Sequence, residues 1–447
     1  MALQMSTKNL DKKRWISIVA AMVLMSTLSL GYTWSLLVDP MITERGATNE
    51  FMAACYSGLT ISGMIFTLIG GKMVDKIGST KTNVFSMVCL IIGFLMCGLT
   101  HNIWAFAIAQ VIFIGFQESV VYIAVFNTAT GMFPDHRGLA TGLASAGISL
   151  GGMIISPLYQ SAIDTFGFDG SFLIMGIAIT IYGFIAIVFL PDCPKGYKPA
   201  SFDPEAAELA NKKKVSRVKA NPNFVQKGYA GMFKDPAFYV LFAIPLLCST
   251  GYMLLAYQMS YIAQDILSIT PMQASFLVSG VAAMGFAAKL IGGPIGDRIG
   301  RLLWVAIVLC LGTVFIAGLI FSADHGFVWF AVCSLGYCFC LGTFAGATGA
   351  ITGDLFGSEH FGTNFSVVYM SVLLASAISP WLAVMGRSGE AIDYGPTFTL
   401  CTVMCACGAA LAVVLYFMRR NKTEYLFRTK EEMAAAQAEI EAASKEN

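Results

Sequence analysis

The 447 residues are 56% hydrophobic and only 12% charged, with a formal net charge of +1. A typical soluble domain carries about 25% charged residues, so a water-soluble fold of this composition would expose large apolar patches. The charges are segregated and leave uncharged windows of about 20 residues, enough to cross a ~30 Å hydrocarbon core. The chain therefore reads as an integral membrane protein, and with no basic stripe interleaved with aromatics it offers no nucleic-acid surface.

Lys8, Lys12, Lys13 and Arg14 precede an apolar run from Trp15 to Val38. That run is too long for a secretory leader and lacks a small-residue cleavage site, so it is expected to stay as a first membrane helix. Apolar windows between charged or Pro/Gly-rich breaks then give six spans, near 15–38, 50–71, 82–100, 103–130, 138–163 and 170–190. A polar stretch follows, containing Lys212, Lys213, Lys214, Arg217 and Lys219. Six more spans lie near 236–263, 272–294, 302–322, 327–352, 362–385 and 395–418, before a charged tail. The expected architecture is an all-α membrane protein with twelve transmembrane helices in two six-helix bundles. The bundles are residues 1–190 and 235–418, joined by a linker loop at 191–234 and followed by a tail at 419–447. With both termini inside, the inner segments hold 25 of the 28 basic residues, and the outer loops hold only Arg45 and Arg387. This bias predicts cytoplasmic termini in the cell membrane.

Of the twelve cysteines only Cys193 falls in a loop. The rest lie in spans, where cysteine acts as a small apolar residue, and the i,i+2 pairs Cys338/Cys340 and Cys405/Cys407 point to different helix faces. No metal or cofactor is expected. His101, His136, His325 and His360 fall in loops or at span ends, which suits the interface rather than a membrane relay.

Two ionisable residues stand inside spans. Lys289 is eight residues before Asp297, roughly 12 Å in from the next charged turn at ~1.5 Å per residue. A lysine that deep costs roughly 2.5–3.5 kcal/mol on insertion scales, which makes it a functional candidate by default. Glu118 is near the middle of the fourth span, and a buried carboxyl favours its protonated form unless it is paired. Three arrangements fit the pair: an ion pair holding the halves together, separate proton and anion sites facing a central cavity, or a Lys289 that snorkels to the surface. Gln117, Asn127, Gln258, Tyr32, Tyr252, Tyr257, Tyr337 and Tyr369 are further polar candidates for that cavity, each equally consistent with interhelical packing.

The chain repeats itself. The second span ends in GKMVDKIGSTK (Gly71 to Lys81) and the eighth in GPIGDRIGR (Gly293 to Arg301), both of the form G-x-x-x-D-(K/R)-x-G. Two six-span halves with matching turns are the parallel-repeat layout of a two-bundle transporter. These two segments resemble the loop signature of the major facilitator superfamily, and the resemblance covers the whole chain. It implies alternating access by rocking of the halves. The inner-loop charges Asp75, Lys76, Arg137, Asp297, Arg298 and Arg301 would act as the latch.

GYTWSLLVDPM (Gly31 to Met41), FPDHRGLATGLASAGISLGG (Phe133 to Gly152) and FAGATGAITGDLFGSEHFGTN (Phe344 to Asn364) narrow the branch. Together they resemble the oxalate/formate antiporter family, relatives of the monocarboxylate transporters. The resemblance implies substrate contacts at Tyr32, Trp34 and Tyr122 beside Lys289, and Tyr257 and Tyr369, from the polar cavity candidates, are added to the expected contacts. Two positions depart from the pattern. Lys289 stands where the family usually has arginine, and Val372 stands where oxalate carriers have a second cation. One cation rather than two argues against a dicarboxylate.

The leading expectation is a secondary transporter of a small organic anion, a monocarboxylate, by proton symport or anion exchange. Lys289 would neutralise the carboxylate and Glu118 would be the proton-coupling group. The alternative is a zwitterion such as an amino acid, with Glu118 facing its ammonium. A non-transporting sensor is disfavoured because the linker is too short for a domain with its own core. An enzyme is disfavoured because the sequence has no nucleophile–base set, phosphate loop or metal cluster. The fold implied is one that works as a monomer in the bilayer.

Overall fold

The computed structural model describes residues 7–133, 137–193, 227, 229–356, 361–387 and 392–419. All regular elements among them are helical, with no strand. In the first half of the chain they are α1 (Thr7–Met25), a 3₁₀ turn (Ser26–Ser29), α2 (Leu30–Arg45), α3 (Asn49–Ile77), α4 (Ser79–Leu99), α5 (Ile103–Ile108), a π-helical turn (Ala109–Ile114), α6 (Gly115–Met132) and α7 (Arg137–Phe189). The second half has α8 (Tyr229–Phe233), α9 (Pro236–Leu267), α10 (Pro271–Ile299), α11 (Arg301–Gly318), a 3₁₀ turn (Leu319–Phe321), α12 (Ser322–Phe356), α13 (Phe361–Arg387) and α14 (Gly395–Arg419). Most of the expected linker and tail, residues 194–226 and 420–447, lies outside the described residues.

Ten stretches among the described residues are long and apolar enough to cross a membrane. Two of them, Gly142–Phe189 with 48 residues and Arg301–Phe356 with 56, run roughly 70 and 85 Å at ~1.5 Å per residue, over twice a ~30 Å core. Each contains a glycine that leaves the helical region, Gly167 (φ 74°) and Gly326 (φ 74°). A side chain disfavours positive φ, so these glycines are where the chain can reverse. Dividing the two long stretches there would bring the ten to the expected twelve.

Helix starts follow from local chemistry. Asp235 caps α9 by accepting from the Ala237 N–H at 3.0 Å, with Pro236 at the first position. Thr270 and Gln273 form a reciprocal capping box on α10, ahead of Pro271. Both devices satisfy orphan N–H groups at a helix end. Asp235 also binds Lys227 at 2.5 Å and pairs with Arg419, so the end of the linker and the start of the tail meet at one carboxylate.

The apolar surface faces outward as well as inward. Leu68, Val188 and Val328 are 71%, 76% and 73% exposed, which suits lipid rather than water. Inside, buried hydroxyls mostly bond back along their own helix, as Ser86 does to the Thr82 carbonyl (2.9 Å) and Thr352 to Thr348 (2.8 Å), which spares the core an unmet polar group. The two halves meet where α2 packs on α9, α3 on α13 and α7 on α10. Gly152 of α7 is one point of close approach. A methyl there would lie 2.8 Å from the Tyr32 ring and 3.0 Å from Ala282.

Candidate functional site

The 3₁₀ turn at Ser26–Ser29 interrupts the first membrane stretch just before α2, which carries Tyr32 and Trp34. Both side chains are buried, at 6% and 3% exposure. Tyr32 meets Tyr257 of α9 edge-on at 5.5 Å, Tyr257 meets Tyr56 of α3 at 5.5 Å, and Tyr56 meets Trp34 at 5.2 Å. Rings from both halves thus form one continuous wall at their junction, held by two edge-to-face contacts and one tilted one.

On the α10 side of that wall stands Lys289. Its ammonium donates to the Ser149 hydroxyl of α7 at 3.4 Å, a bond between the two halves. Gly285, one turn earlier, keeps the space beside it open. A methyl at Gly285 would meet the Tyr252 hydroxyl at 3.4 Å, Ser149 Oγ at 3.6 Å and the Tyr32 hydroxyl at 3.9 Å. Three hydroxyls therefore converge on a position that has no side chain of its own, and the ammonium bonds one of them. Among the described residues no carboxylate lies within 4 Å of Lys289. The ion pair with Glu118, one of the three arrangements expected, is not formed.

Glu118 lies beside the same wall, near Tyr56 and Tyr257. The π-helical turn Ala109–Ile114 precedes it and leaves a carbonyl without its usual α-helical partner, which Ser62 satisfies by donating to Val111 O at 2.7 Å. Glu118 is within electrostatic reach of the Tyr56 and Tyr257 hydroxyls. It lines a cavity of about 20 Å³ with Trp34, Tyr56, Gln110 and Tyr159.

Tyr122 stacks on Phe126 at 4.5 Å, within electrostatic reach of Tyr369. Tyr369 is 37% exposed and interacts in the same way with Tyr257. The five aromatic candidates thus fall in one neighbourhood at the junction of the halves, although Trp34 sits behind Tyr56. The weaker candidates separate. Gln117 donates to Thr27 Oγ1 at 2.8 Å, Asn127 to Ser79 Oγ at 3.0 Å, and Tyr337 to Cys248 O at 3.0 Å. Each of these three bonds lies within one half.

The expected latch residues lie around the face that carries Arg14 and Arg419, the termini face. Asp75 and Lys76 are exposed and form no ion pair among the described residues. Arg301 binds both oxygens of Asp354 at 2.9 and 3.0 Å, a link inside the second half. The side chains of Arg137, Asp297 and Arg298 lie outside the described residues.

The opposite, far face carries the links that sequence reasoning missed. Arg387 at the end of α13 grips Asp265 of α9 with Nε and Nη2, at 2.6 and 2.9 Å, and reaches Asp39 of α2 with Nη1 at 2.8 Å. Its guanidinium lies 4.4 Å from the Tyr261 ring centroid. The Tyr394 hydroxyl, held well above its usual titration range mainly by burial, donates to Asp265 at 2.7 Å. Ser57 of α3 donates to Ala377 O at 2.6 Å and accepts from Trp381 at 3.1 Å. The only signal available in the sequence was that Arg45 and Arg387 are the two basic residues of the outer loops.

The family model for the Major Facilitator Superfamily matches residues 19–263 and 241–445. The chain belongs to the major facilitator superfamily. It is accordingly a multi-pass membrane transporter of that superfamily. Over 375 residues it is 20% identical to the uncharacterized MFS-type transporter YhjX of Escherichia coli (strain K12), covering 83% of this chain and 88% of that one. It is 32% identical to the oxalate:formate antiporter of Oxalobacter formigenes over 38% of this chain and 42% of that protein. It is 27% identical to monocarboxylate transporter 9 of Mus musculus over 46% and 40%. The chain thus spans less than half of these two relatives. Among solved structures, a bacterial homologue of the human lysosomal transporter Spinster superposes with a TM-score of 0.67 at 13% identity, over 91% of this chain and 96% of that one, which is a likeness of fold.

Proposed function

We propose that this transporter moves a small organic anion, a monocarboxylate, across the cell membrane by alternating access, with the termini face in the cytoplasm. The observation that carries the reading is the state of Lys289. It is a half-buried ammonium whose one hydrogen-bond partner among the described residues is a neutral hydroxyl. An unpaired buried cation is costly, and a carboxylate would supply the missing charge while Tyr32, Tyr252 and Ser149 donate hydroxyl hydrogens to it. Tyr257, Tyr122 and Tyr369 form the apolar flank, with Trp34 buttressing it through Tyr56. Glu118 is the proton-coupling group. Arg387, Asp39 and Asp265 close the far face while Asp75, Lys76, Arg137, Asp297, Arg298 and Arg301 govern the other. The names of the antiporter and the monocarboxylate transporter among the relatives support an anion.

A zwitterion is the second reading. It is favoured by the position of Glu118 on the same aromatic wall, where it could receive an ammonium. Uptake into proteoliposomes separates the two. Lactate, pyruvate or formate should accumulate or exchange with wild-type protein and fail with Lys289→Ala. Amino-acid uptake that is lost in Glu118→Gln, with no transport of simple acids, would overturn the anion reading.

A further inference from the structure

Behind Glu118 the first half of the chain holds an interior space that the anion site leaves unused. At about 20 Å³ it has room for about one water molecule. Tyr159 lines this space and is 1% exposed, yet its hydroxyl has no hydrogen-bond partner among the described residues. Ser171 stands beside it, and since its own hydrogen goes to Phe168 O at 2.6 Å it offers Tyr159 only an acceptor oxygen. Gln110, also in the lining and 4% exposed, directs its amide only at the Cys97 thiol, 3.9 Å away. Buried polar groups of this kind find a partner in nearly all proteins. Here the shared space is of water size, and a water needs two to four polar partners. Gln110, Tyr159 and Glu118 supply three.

The polar groups continue toward the far face. Arg45 lies within electrostatic reach of Tyr159, is 1% exposed, and has Nε and Nη1 without partners among the described residues. Its Nη2 binds Asp169 and Cys97 O, and Asp169 in turn meets the exposed His101 at 2.9 Å. The Phe168 and Phe172 rings box the guanidinium at 5.2 and 5.9 Å. All of these residues belong to the first half, and the Tyr56 and Trp34 rings line the space on its other side.

We propose that this space is a proton-loading site, where a water held by the Tyr159 hydroxyl and the Gln110 amide hydrogen-bonds the Glu118 carboxyl. Protons then reach Glu118 from inside the first half, while the anion approaches Lys289 from between the halves. The inference rests on the reading of Glu118 as the proton-exchanging group. The titratable groups facing Glu118 are Tyr56 of α3, Tyr257 of α9 and, across the space, Tyr159 of α7. Trp34 of α2 and Gln110 of the π-turn do not titrate, and among the described residues no cation lies within 4 Å of it. Arg45, boxed by its rings, connects the neighbourhood of Tyr159 through Asp169 to the exposed His101.

Infrared difference spectroscopy of the full chain in lipid nanodiscs, stepped between acidic and alkaline buffer, tests this without a substrate. The carbonyl band lost in Glu118→Gln reports protonated Glu118. Tyr159→Phe, which removes one oxygen, and Gln110→Leu should each move that band to higher frequency as the carboxyl loses its water. A Tyr159 that only packs would leave it in place. A Glu118 band present in the wild type but unmoved by Tyr159→Phe overturns the loading site and leaves the proton role of Glu118 standing. Absence of any Glu118 band in the wild type overturns both. Should Gln110→Leu fail to fold, Tyr159→Phe decides alone.

Discussion

Two cations lie at the junction of the halves, and their surroundings are opposite. Arg387 is 10% exposed and met by two carboxylates, one from each half, with Tyr394 completing the hydrogen bonds of Asp265. Lys289 meets one hydroxyl at 3.4 Å. Guanidinium geometry suits the first task, since its fork binds a carboxylate with two parallel hydrogen bonds. The compact ammonium suits the second, where the partner has to come and go. A saturated cation holds two surfaces together, whereas an unsaturated one is available to a ligand.

The contrast breaks most visibly at Arg387. Arg387→Ala leaves Asp265, 11% exposed, without its cation, a loss of about 3 kcal/mol for a buried pair. A lowered denaturation midpoint is expected, and an unchanged one would mean that the cluster is screened by water. Lys289→Ala should do the reverse. Stability should hold or rise, because a desolvated charge is removed, while affinity for the transported anion falls roughly a hundredfold, about 3 kcal/mol. Lys289→Arg should recover part of that affinity. If Lys289→Ala unfolds the protein as Arg387→Ala does, the two cations are not different in kind.

Asp235 gives a third, saturated case that can be read by pH. Burial alone would raise its titration, but hydrogen bonds from Lys227 and the Ala237 N–H, with Arg419 nearby, outweigh it and hold the carboxyl below the usual range. A depressed folded value means that the stability is present at neutral pH and is lost as pH falls through that value. The stability gap between wild type and Asp235→Asn should be about 2 kcal/mol near neutrality and should close in acid below the ordinary aspartate range. A gap that persists in acid would remove the clasp from the account. The smallest effect belongs to Gly285→Ala. The added methyl meets the Tyr252 hydroxyl at 3.4 Å, an ordinary contact, so folding should be unaffected. Anion affinity should fall only a few-fold, under about 1 kcal/mol, and more for bulkier acids in competition assays.

Lys289 and Glu118 were legible in the sequence because charge inside an apolar span is rare and needs no partner to be noticed. The paired turns at Gly71 to Lys81 and Gly293 to Arg301 were legible because repetition is a property of sequence itself, and the family match over 19–263 and 241–445 agrees with them. The far-face cluster was not. Arg387 meets residues 122 and 348 positions away, and no local pattern encodes such a pairing. Tyr337 shows the converse. Its composition and position fitted a cavity, but its hydroxyl is bonded to Cys248 O in the core, a fate set by how α12 is turned about its axis.

The π-turn at Ala109–Ile114 fixes the angular phase of everything after it. Each residue in a helix advances the face by ~100°, and a π-turn holds one residue more than an α-turn. Wound as a regular α-helix, the same residues would turn Glu118 about a quarter-circle away from Tyr159, whereas deleting one residue there would restore a regular helix and keep the direction of Glu118. The carboxyl's direction thus depends on the wide turn that absorbs one extra residue, and Ser62 supports that turn by occupying the Val111 carbonyl.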